Sequence, residues 1–144
     1  MKLVIQRVTQ ALVSVENITV GEINKGYLIF LGVEKEDSEK TVKEYVEKVV
    51  NIRIVSDENN KMNKSIIESN GEILVVSQFT LLANTGKGRR PSFTKAGDPK
   101  LAKQFYQLFI KELKNRGVAK VESGKFGAYM EVSLTNDGPV TFVI

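Results

Sequence analysis

The chain has 144 residues, of which 42% are hydrophobic and 26% are charged, a composition typical of one globular domain with a sizeable core. It contains no histidine and no cysteine, which excludes histidine-based catalytic triads, cysteine nucleophiles and zinc sites built on imidazole or thiolate. The formal net charge is +4, from 21 basic and 17 acidic residues, and the basic excess is concentrated between residues 84 and 100.

The first 33 residues predict strands. Residues 3–8, 11–15 and 18–23 alternate or run apolar with β-branched residues, which is typical of meandering strands. Residues 26–33 are continuously apolar, as expected of a central strand buried on both faces. The chain start lacks the features of a signal peptide, and no apolar run approaches the roughly 18 residues of a membrane span. We therefore expect a cytoplasmic protein with no membrane segment.

Two helices are predicted. Asp37 or Ser38 caps the first helix, and Asp98 and Pro99 cap and open the second, which ends at Gly117. In both helices the apolar residues recur at spacings of three and four, so that each helix has one apolar face. These residues are Val42, Tyr45, Val46, Val49 and Val50 in the first helix, and Leu101, Phe105, Leu108, Phe109 and Leu113 in the second.

The remaining segments complete the predicted fold. Residues 57–61 form a polar turn, and the short buried strand 73–76 runs directly into residues 77–81. Residues 118–121, 129–134 and 140–144 predict three more strands. The sequence thus predicts a single α+β domain over residues 1–144, with a mostly antiparallel sheet or partly closed β-barrel covered by two main helices.

Polar side chains are concentrated at the end of the buried strand, in Ser77, Gln78, Phe79 and Thr80. A serine or threonine hydroxyl has no histidine to activate it in this chain, so a covalent mechanism has weak support. Free backbone N–H groups at a strand end need no titrating group to stabilise an oxyanion. The alternative is that the two hydroxyls satisfy local backbone groups.

The segment from residue 84 to residue 100 is a basic, glycine-containing loop. Its arginines can make forked contacts with phosphate, and its glycines permit a close backbone approach. The alternative is a solvated surface loop, and the pattern does not separate nucleic acid from a smaller phosphate ligand. The candidate phosphate contacts are Lys87, Arg89, Arg90 and Lys95.

A Gly-Pro step, Gly138-Pro139, interrupts the apolar C-terminal region. Because proline lacks the N–H that a strand ladder needs, residues 136–141 must form a turn or a shaped backbone feature. Taken alone, the segment favours a hairpin turn between residues 131–134 and 140–143.

Two long motifs, Ser-Gln-Phe-Thr-Leu at 77–81 and Asn-Asp-Gly-Pro-Val-Thr at 136–141, together resemble the D-aminoacyl-tRNA deacylase family. The resemblance spans the whole chain and includes residues 6–8, 61–63, 90–93 and 124–130. Tyr129 departs from it, because the family more often has an acidic residue there.

The resemblance implies a homodimer that hydrolyses the ester between a D-amino acid and the terminal adenosine of tRNA, with glycyl esters as a second substrate. It implies that Ser77, Gln78, Phe79 and Thr80 line the catalytic pocket, with Phe126 and Met130 as further walls. The Gly-Pro peptide bond is cis in the family and enters the partner subunit's active site. Gly138 and Pro139 would there exclude L side chains.

The resemblance also implies a mechanism that uses the ribose 2′-hydroxyl of the substrate. Magnesium bound by carboxylates is compatible with the composition, but the sequence has no acidic cluster that calls for it, so we expect no metal and no cofactor. Thr80 then positions the ester and is not the nucleophile. Two alternatives remain: a non-catalytic RNA-binding module that grips phosphates through residues 84–100, and a dimeric hydrolase of small esters that does not need tRNA.

Overall fold

The structure is a computed structural model that describes residues 1–86 and 88–144. No helix within these ranges is long and apolar enough to cross a membrane. The helices are α1 (Glu39–Asn51) and α2 (Pro99–Asn115), with a short 3-10 helix at Phe79–Leu82. The strands are β1 (Lys2–Val15), β2 (Ile18–Ile23), β3 (Gly26–Gly32), β4 (Val55–Ser56), β5 (Met62–Lys64), β6 (Glu72–Ser77), β7 (Lys120–Ser123) and β8 (Glu131–Val143).

The main sheet has the strand order β2-β1-β3-β6-β7, and β8 also pairs with β1. β1 is antiparallel to β2, β3 and β8, whereas β3 and β6, and β6 and β7, are parallel. The parallel pairs arise because α1 and α2 lie in the long connections between these strands. The outer strands β2 and β7 approach each other, and Lys120 Nζ donates to the Glu22 carbonyl at 2.8 Å. The predicted α+β fold with a partly closed barrel and two helices is confirmed.

Two predictions about strand boundaries were wrong. Residues 3–8 and 11–15 belong to one strand, β1, and the segments near 131–134 and 140–143 belong to one strand, β8. The hairpin between the latter two segments is absent, because Val143 pairs with Val4 and Glu131 pairs with Ser14. Both ends of β8 therefore lie along β1. Register shifts near Val8 accommodate the Gly-Pro step as an irregularity within the pairing.

The sheet carries a hydrophobic cluster on each of its faces. One cluster joins α1 and α2 to the strands, with Val46, Phe109 and Leu113 packed with Ile5 and Val75. The other fills the interior of the barrel, with residues such as Val13, Leu28 and Leu74. Because β3 and β6 contribute side chains to both clusters, their amino-acid sequences are nearly continuous apolar runs.

Local capping fixes where the helices begin and end. Ser38, rather than Asp37, caps α1, and its Oγ accepts from the Thr41 N–H at 3.3 Å. Asp98 caps α2 by accepting from the N–H groups of Lys100 and Leu101 at 3.0 and 3.2 Å. Gly117, with φ of +81°, follows the end of α2 in the left-handed region. The Asp98 cap thus fixes the first turn of α2.

Candidate active site

A cavity of about 510 Å³ opens at the sheet edge where the parallel strands β3 and β6 end. Its walls come from these strand ends, from the start of α2 and from the segment that connects β7 to β8. Five of the predicted site residues line it, namely Ser77, Gln78, Phe79, Phe126 and Met130. The structure thus brings together two segments that lie almost 50 residues apart, within a mostly apolar pocket of the size that small ligands occupy.

Gln78 connects the strand end to the 3-10 helix. Its backbone N–H donates to the Leu31 carbonyl at 2.8 Å, which ties the strand end to β3. Its side-chain amide donates to Thr80 Oγ1. Thr80 itself is exposed and does not line the cavity. The Thr80 hydroxyl is therefore held by a neighbouring amide at the rim of the pocket.

The backbone N–H groups of Phe79 and Thr80 lie at the start of the 3-10 helix. The first N–H that bonds back to the preceding turn is that of Leu81, which donates to the Gln78 carbonyl at 3.3 Å. Within residues 1–86 and 88–144, the Phe79 and Thr80 N–H groups donate to no acceptor. Such orphan donors are the usual state of a helix start, and they are available to a negatively charged oxygen.

Tyr106 supports the cavity from α2 and was not identified from the sequence. Its hydroxyl donates to the carbonyls of Val75 and Gly124 at 2.8 and 3.2 Å, and its ring lies 5.6 Å from that of Phe126. Burial raises the pKa of Tyr106 to about 12, so the hydroxyl stays protonated and keeps donating. The side chain therefore joins β6, α2 and the segment after β7.

Small and apolar residues form the rest of the cavity wall. Ala102 on α2 is the one that the sequence could have suggested, because its methyl group leaves open space beside the larger Phe105 and Tyr106. The other walls have no distinguishing sequence signal, since they lie in strand ends and connections. They include Leu31, Val33, Ala96 and Gly97.

Gly138 and Pro139 lie away from this cavity within the single chain. Both are exposed, neither lines the cavity, and the peptide bond between them is cis. The Asn136 side chain closes the segment, since its Oδ1 accepts from the Val140 N–H at 2.7 Å and its Nδ2 donates to the Val140 carbonyl at 3.1 Å. The Gly-Pro step therefore projects from β8 as a short loop held at its base.

Arg7 anchors the same loop, a role that was not predicted from the sequence. Its side chain is only 10% exposed, and its Nε donates to the Asp137 carbonyl at 2.9 Å and lies 3.2 Å from Asp137 Oδ2. Its Nη1 donates to the Ile54 carbonyl at 2.7 Å. A buried guanidinium with several acceptors has a fixed geometry, so it fixes the position of the loop.

The basic loop reaches the cavity through an aromatic contact. The rings of Phe79 and Phe93 meet edge to face, with centroids 5.0 Å apart, and Gly97 N–H donates to the Val33 carbonyl at 2.9 Å. Three of the predicted phosphate contacts, Arg89, Arg90 and Lys95, are exposed. The fourth, Lys87, lies outside the described residues. The described cations of the loop thus lie within a few residues of Phe93, which contacts the cavity residue Phe79. They are open to solvent.

Acidic residues do not cluster at the cavity. Within the described part of the chain, no group of three aspartates and glutamates is arranged to hold a metal ion. The cavity is lined by the polar residues Ser77 and Gln78 and by apolar walls.

Comparison with known proteins gives full-length matches. A family model described as D-Tyr-tRNA(Tyr) deacylase matches residues 4–144. A protein of Thermosipho africanus named D-aminoacyl-tRNA deacylase is 51% identical over 144 residues, which cover 100% of this chain and 96% of the relative. A protein of the same name from Mannheimia succiniciproducens is 54% identical over 138 residues, which cover 96% of this chain and 94% of the relative.

Two solved structures share the fold. A protein named c-Myc DNA Unwinding Element Binding Protein superposes with a TM-score of 0.95 at 40% identity, covering 100% of this chain and 97% of the other. A probable eukaryotic D-amino acid tRNA deacylase superposes with a TM-score of 0.84 at 18% identity, covering 99% and 97%. The second likeness supports the fold alone.

Proposed function

The chain belongs to the D-aminoacyl-tRNA deacylase family, and from this premise we propose that it hydrolyses the ester bond of D-aminoacyl-tRNA to release free amino acid and tRNA. The observation that carries the proposal is the cavity lined by residues 77–79, which lie within the range that the family model matches. The protein is a hydrolase that acts on carboxylic esters. Its place of action is the cytoplasm, where aminoacyl-tRNA is used.

The cavity receives the aminoacyl ester and the terminal adenosine. A volume of about 510 Å³ suits a nucleoside with a small ester, and the apolar walls suit a flat base. Phe79 is 59% exposed at the rim and offers a ring face on which a base can stack. Ser77 and Gln78 supply the polar groups that orient the ester.

The reaction proceeds without a titrating protein group. The free N–H groups of Phe79 and Thr80 bind the oxyanion that forms when water attacks the ester carbonyl. The neighbouring 2′-hydroxyl of the terminal ribose assists that attack, and the Gln78 amide holds Thr80 as a positioning residue. In enzymes generally, the positioning of the reactants and oriented hydrogen-bond donors each lower the activation barrier by several kcal/mol.

Selection against L-amino acids comes from the backbone of the partner subunit. We place Gly138 and Pro139 of one chain at the mouth of the other chain's cavity, where their carbonyls hold the substrate amino group. Three observations support this arrangement: the loop projects into solvent, Arg7 and Asn136 hold its base, and β8 is paired on one edge only within the described residues. A long unpaired strand edge is a frequent site of association. Glycyl esters, which have no side chain to exclude, are a second substrate.

Hydrolysis of D-aminoacyl-tRNA by the purified protein tests the function. We expect ester cleavage by the wild type and a loss of at least about tenfold for Ala102→Leu, which fills the cavity from α2 with little cost to the helix. Lys40→Gln, on the exposed face of α1, is the matched control and leaves cleavage unchanged.

Two outcomes would contradict the proposal. Salt-sensitive binding of tRNA without cleavage would support a non-catalytic RNA-binding module instead. Cleavage of free D-amino acid esters as efficiently as D-aminoacyl-tRNA would support a hydrolase of small esters. Glycyl-tRNA included in the same assay reports whether the second substrate is accepted.

A further inference from the structure

The outer face of α2 carries lysines and no acidic residue. Lys100, Lys103, Lys111 and Lys114 are all exposed and recur at spacings that place them on one side of the helix, together with Gln104 and Gln107. None of the four ammonium groups lies within 4.0 Å of a carboxylate of residues 1–86 and 88–144. We call these four residues the α2 lysine face.

The outer face of α1 shows the ordinary alternative. That helix contains three lysines and three glutamates, and Lys40 Nζ lies 3.8 Å from Glu44 Oε1. Glu47 is paired with Arg116. α2, by contrast, has four lysines against the single acid Glu112. Because solvated helix faces usually mix both signs, the one-sided charge of α2 indicates an anionic partner.

The α2 lysine face begins at the wall of the cavity. Pro99 and Ala102 line the cavity. Lys103 lies about one helical turn after Pro99 on the same side of the helix, because residues four apart are neighbours on a helix surface. From there, Lys103, Gln107, Lys111 and Lys114 form a continuous ridge of about 16 Å. A polymer of phosphates that leaves the cavity at the start of α2 would meet these ammonium groups in succession.

We propose that the α2 lysine face binds the sugar-phosphate backbone of the tRNA acceptor arm while its terminal adenosine occupies the cavity. The inference rests on the proposed function, because it takes the occupant of the cavity from there. Lysines attract phosphates without reading bases, so this surface increases affinity for tRNA irrespective of its sequence. Glutamine at position 107 adds an uncharged donor between the charges.

A pair of triple variants with equal loss of charge tests the inference. Lys103→Gln, Lys111→Gln and Lys114→Gln are combined in the α2 variant, and Lys40→Gln, Lys43→Gln and Lys48→Gln in the α1 variant. Lysine and glutamine have similar helix propensity and all six positions are exposed, so both variants keep the fold. Binding of uncharged tRNA is measured at several salt concentrations, and hydrolysis is measured with a D-aminoacyl-adenosine ester that has no phosphate backbone.

We expect the α2 variant to bind tRNA at least about tenfold more weakly than the wild type, with a salt slope smaller by about 2 to 3. The α1 variant binds as the wild type does, and both variants cleave the adenosine ester at the wild-type rate. Equal weakening in both variants would overturn the inference, because net charge alone would then explain the binding. Loss of adenosine ester cleavage in the α2 variant alone would also overturn it.

The nature of the anion is tested by competition. A duplex DNA that binds the wild type more tightly than tRNA does, and that loses this affinity in the α2 variant, would assign the α2 lysine face to DNA and overturn its assignment to tRNA. A wild-type protein that binds tRNA through the α2 lysine face but cleaves no D-aminoacyl ester would contradict the proposed function and leave this inference standing.

Discussion

At the scale of single residues, the chemistry of the site depends on groups that do not titrate near neutral pH. The chain has no histidine or cysteine, and Ser77, Gln78 and Phe79 line the cavity. Within the described residues, the N–H groups of Phe79 and Thr80 beside it donate to no backbone acceptor. Stabilising an oxyanion and orienting an ester are the tasks that such groups perform. We therefore propose that the base and the nucleophile come from water and from the substrate.

Thr80→Ala separates a positioning role from a nucleophilic one. If Thr80 only holds the ester through a hydrogen bond, single-turnover hydrolysis of D-aminoacyl-tRNA falls by about fivefold, since one such bond contributes ~1 kcal/mol. A substrate whose terminal adenosine lacks the 2′-hydroxyl should be nearly inert toward the wild type. Full activity on the deoxy substrate would contradict the substrate-assisted mechanism, and complete loss in Thr80→Ala would contradict the positioning role.

The residues that the sequence reasoning missed act across long separations. Arg7 bonds to Asp137, 130 positions away, and Tyr106 bonds to Val75, 31 positions away. Nothing in the neighbourhood of either residue predicts such a partner. Ser77, Gln78 and Phe79 could be identified because a polar cluster at the end of an apolar strand is a local pattern.

At the scale of elements, the helices were predicted well because their signals are local. The strand boundaries were predicted less well because they depend on pairing with distant parts of the chain. The helices begin and end where we expected, at Ser38, Asp98 and Gly117, because capping involves neighbours within a few residues. The continuity of β8 depends on its pairing with β1 and not on its own residues, so the Gly-Pro step looked like a turn. The parallel pairing of β3 with β6 likewise follows from the α1 connection.

The two helix caps give a matched test of how α2 supports the site. Ser38→Ala and Asp98→Ala should each lower the free energy of unfolding by about 1 kcal/mol, because each removes a side-chain acceptor from the first turn of a helix. Only Asp98→Ala should also raise KM for D-aminoacyl-tRNA, since the first turn of α2 lines the cavity. Denaturant unfolding and steady-state kinetics check the two effects, and an equal rise of KM in Ser38→Ala would contradict the local role of α2.

At the scale of the whole molecule, we propose that one complete site needs two chains. The cavity lies on one part of the chain, and the Gly-Pro loop lies elsewhere on the surface, held by Arg7 and Asn136. A two-fold dimer exchanges such features reciprocally, so that each chain completes the other.

Mixed dimers test this exchange. A Cβ at position 138 would lie 2.6 Å from the Val140 backbone nitrogen, so Gly138→Ala distorts the loop and lowers activity, whereas Ala102→Leu blocks the cavity. Refolded together in equal amounts, the two variants should recover about a quarter of the wild-type activity, because half the dimers contain one intact site out of two. Recovery no greater than the average of the two separate variants would show that each site is complete within one chain.

The most direct test compares D-tyrosyl-tRNA with L-tyrosyl-tRNA as substrates of the same purified protein under single-turnover conditions. We predict that the D ester is cleaved at least about a hundredfold faster, a difference of about 2.7 kcal/mol in transition-state free energy. Equal rates for the two esters, or faster cleavage of the L ester, would contradict the claim that the backbone at Gly138 and Pro139 selects the chirality of the substrate.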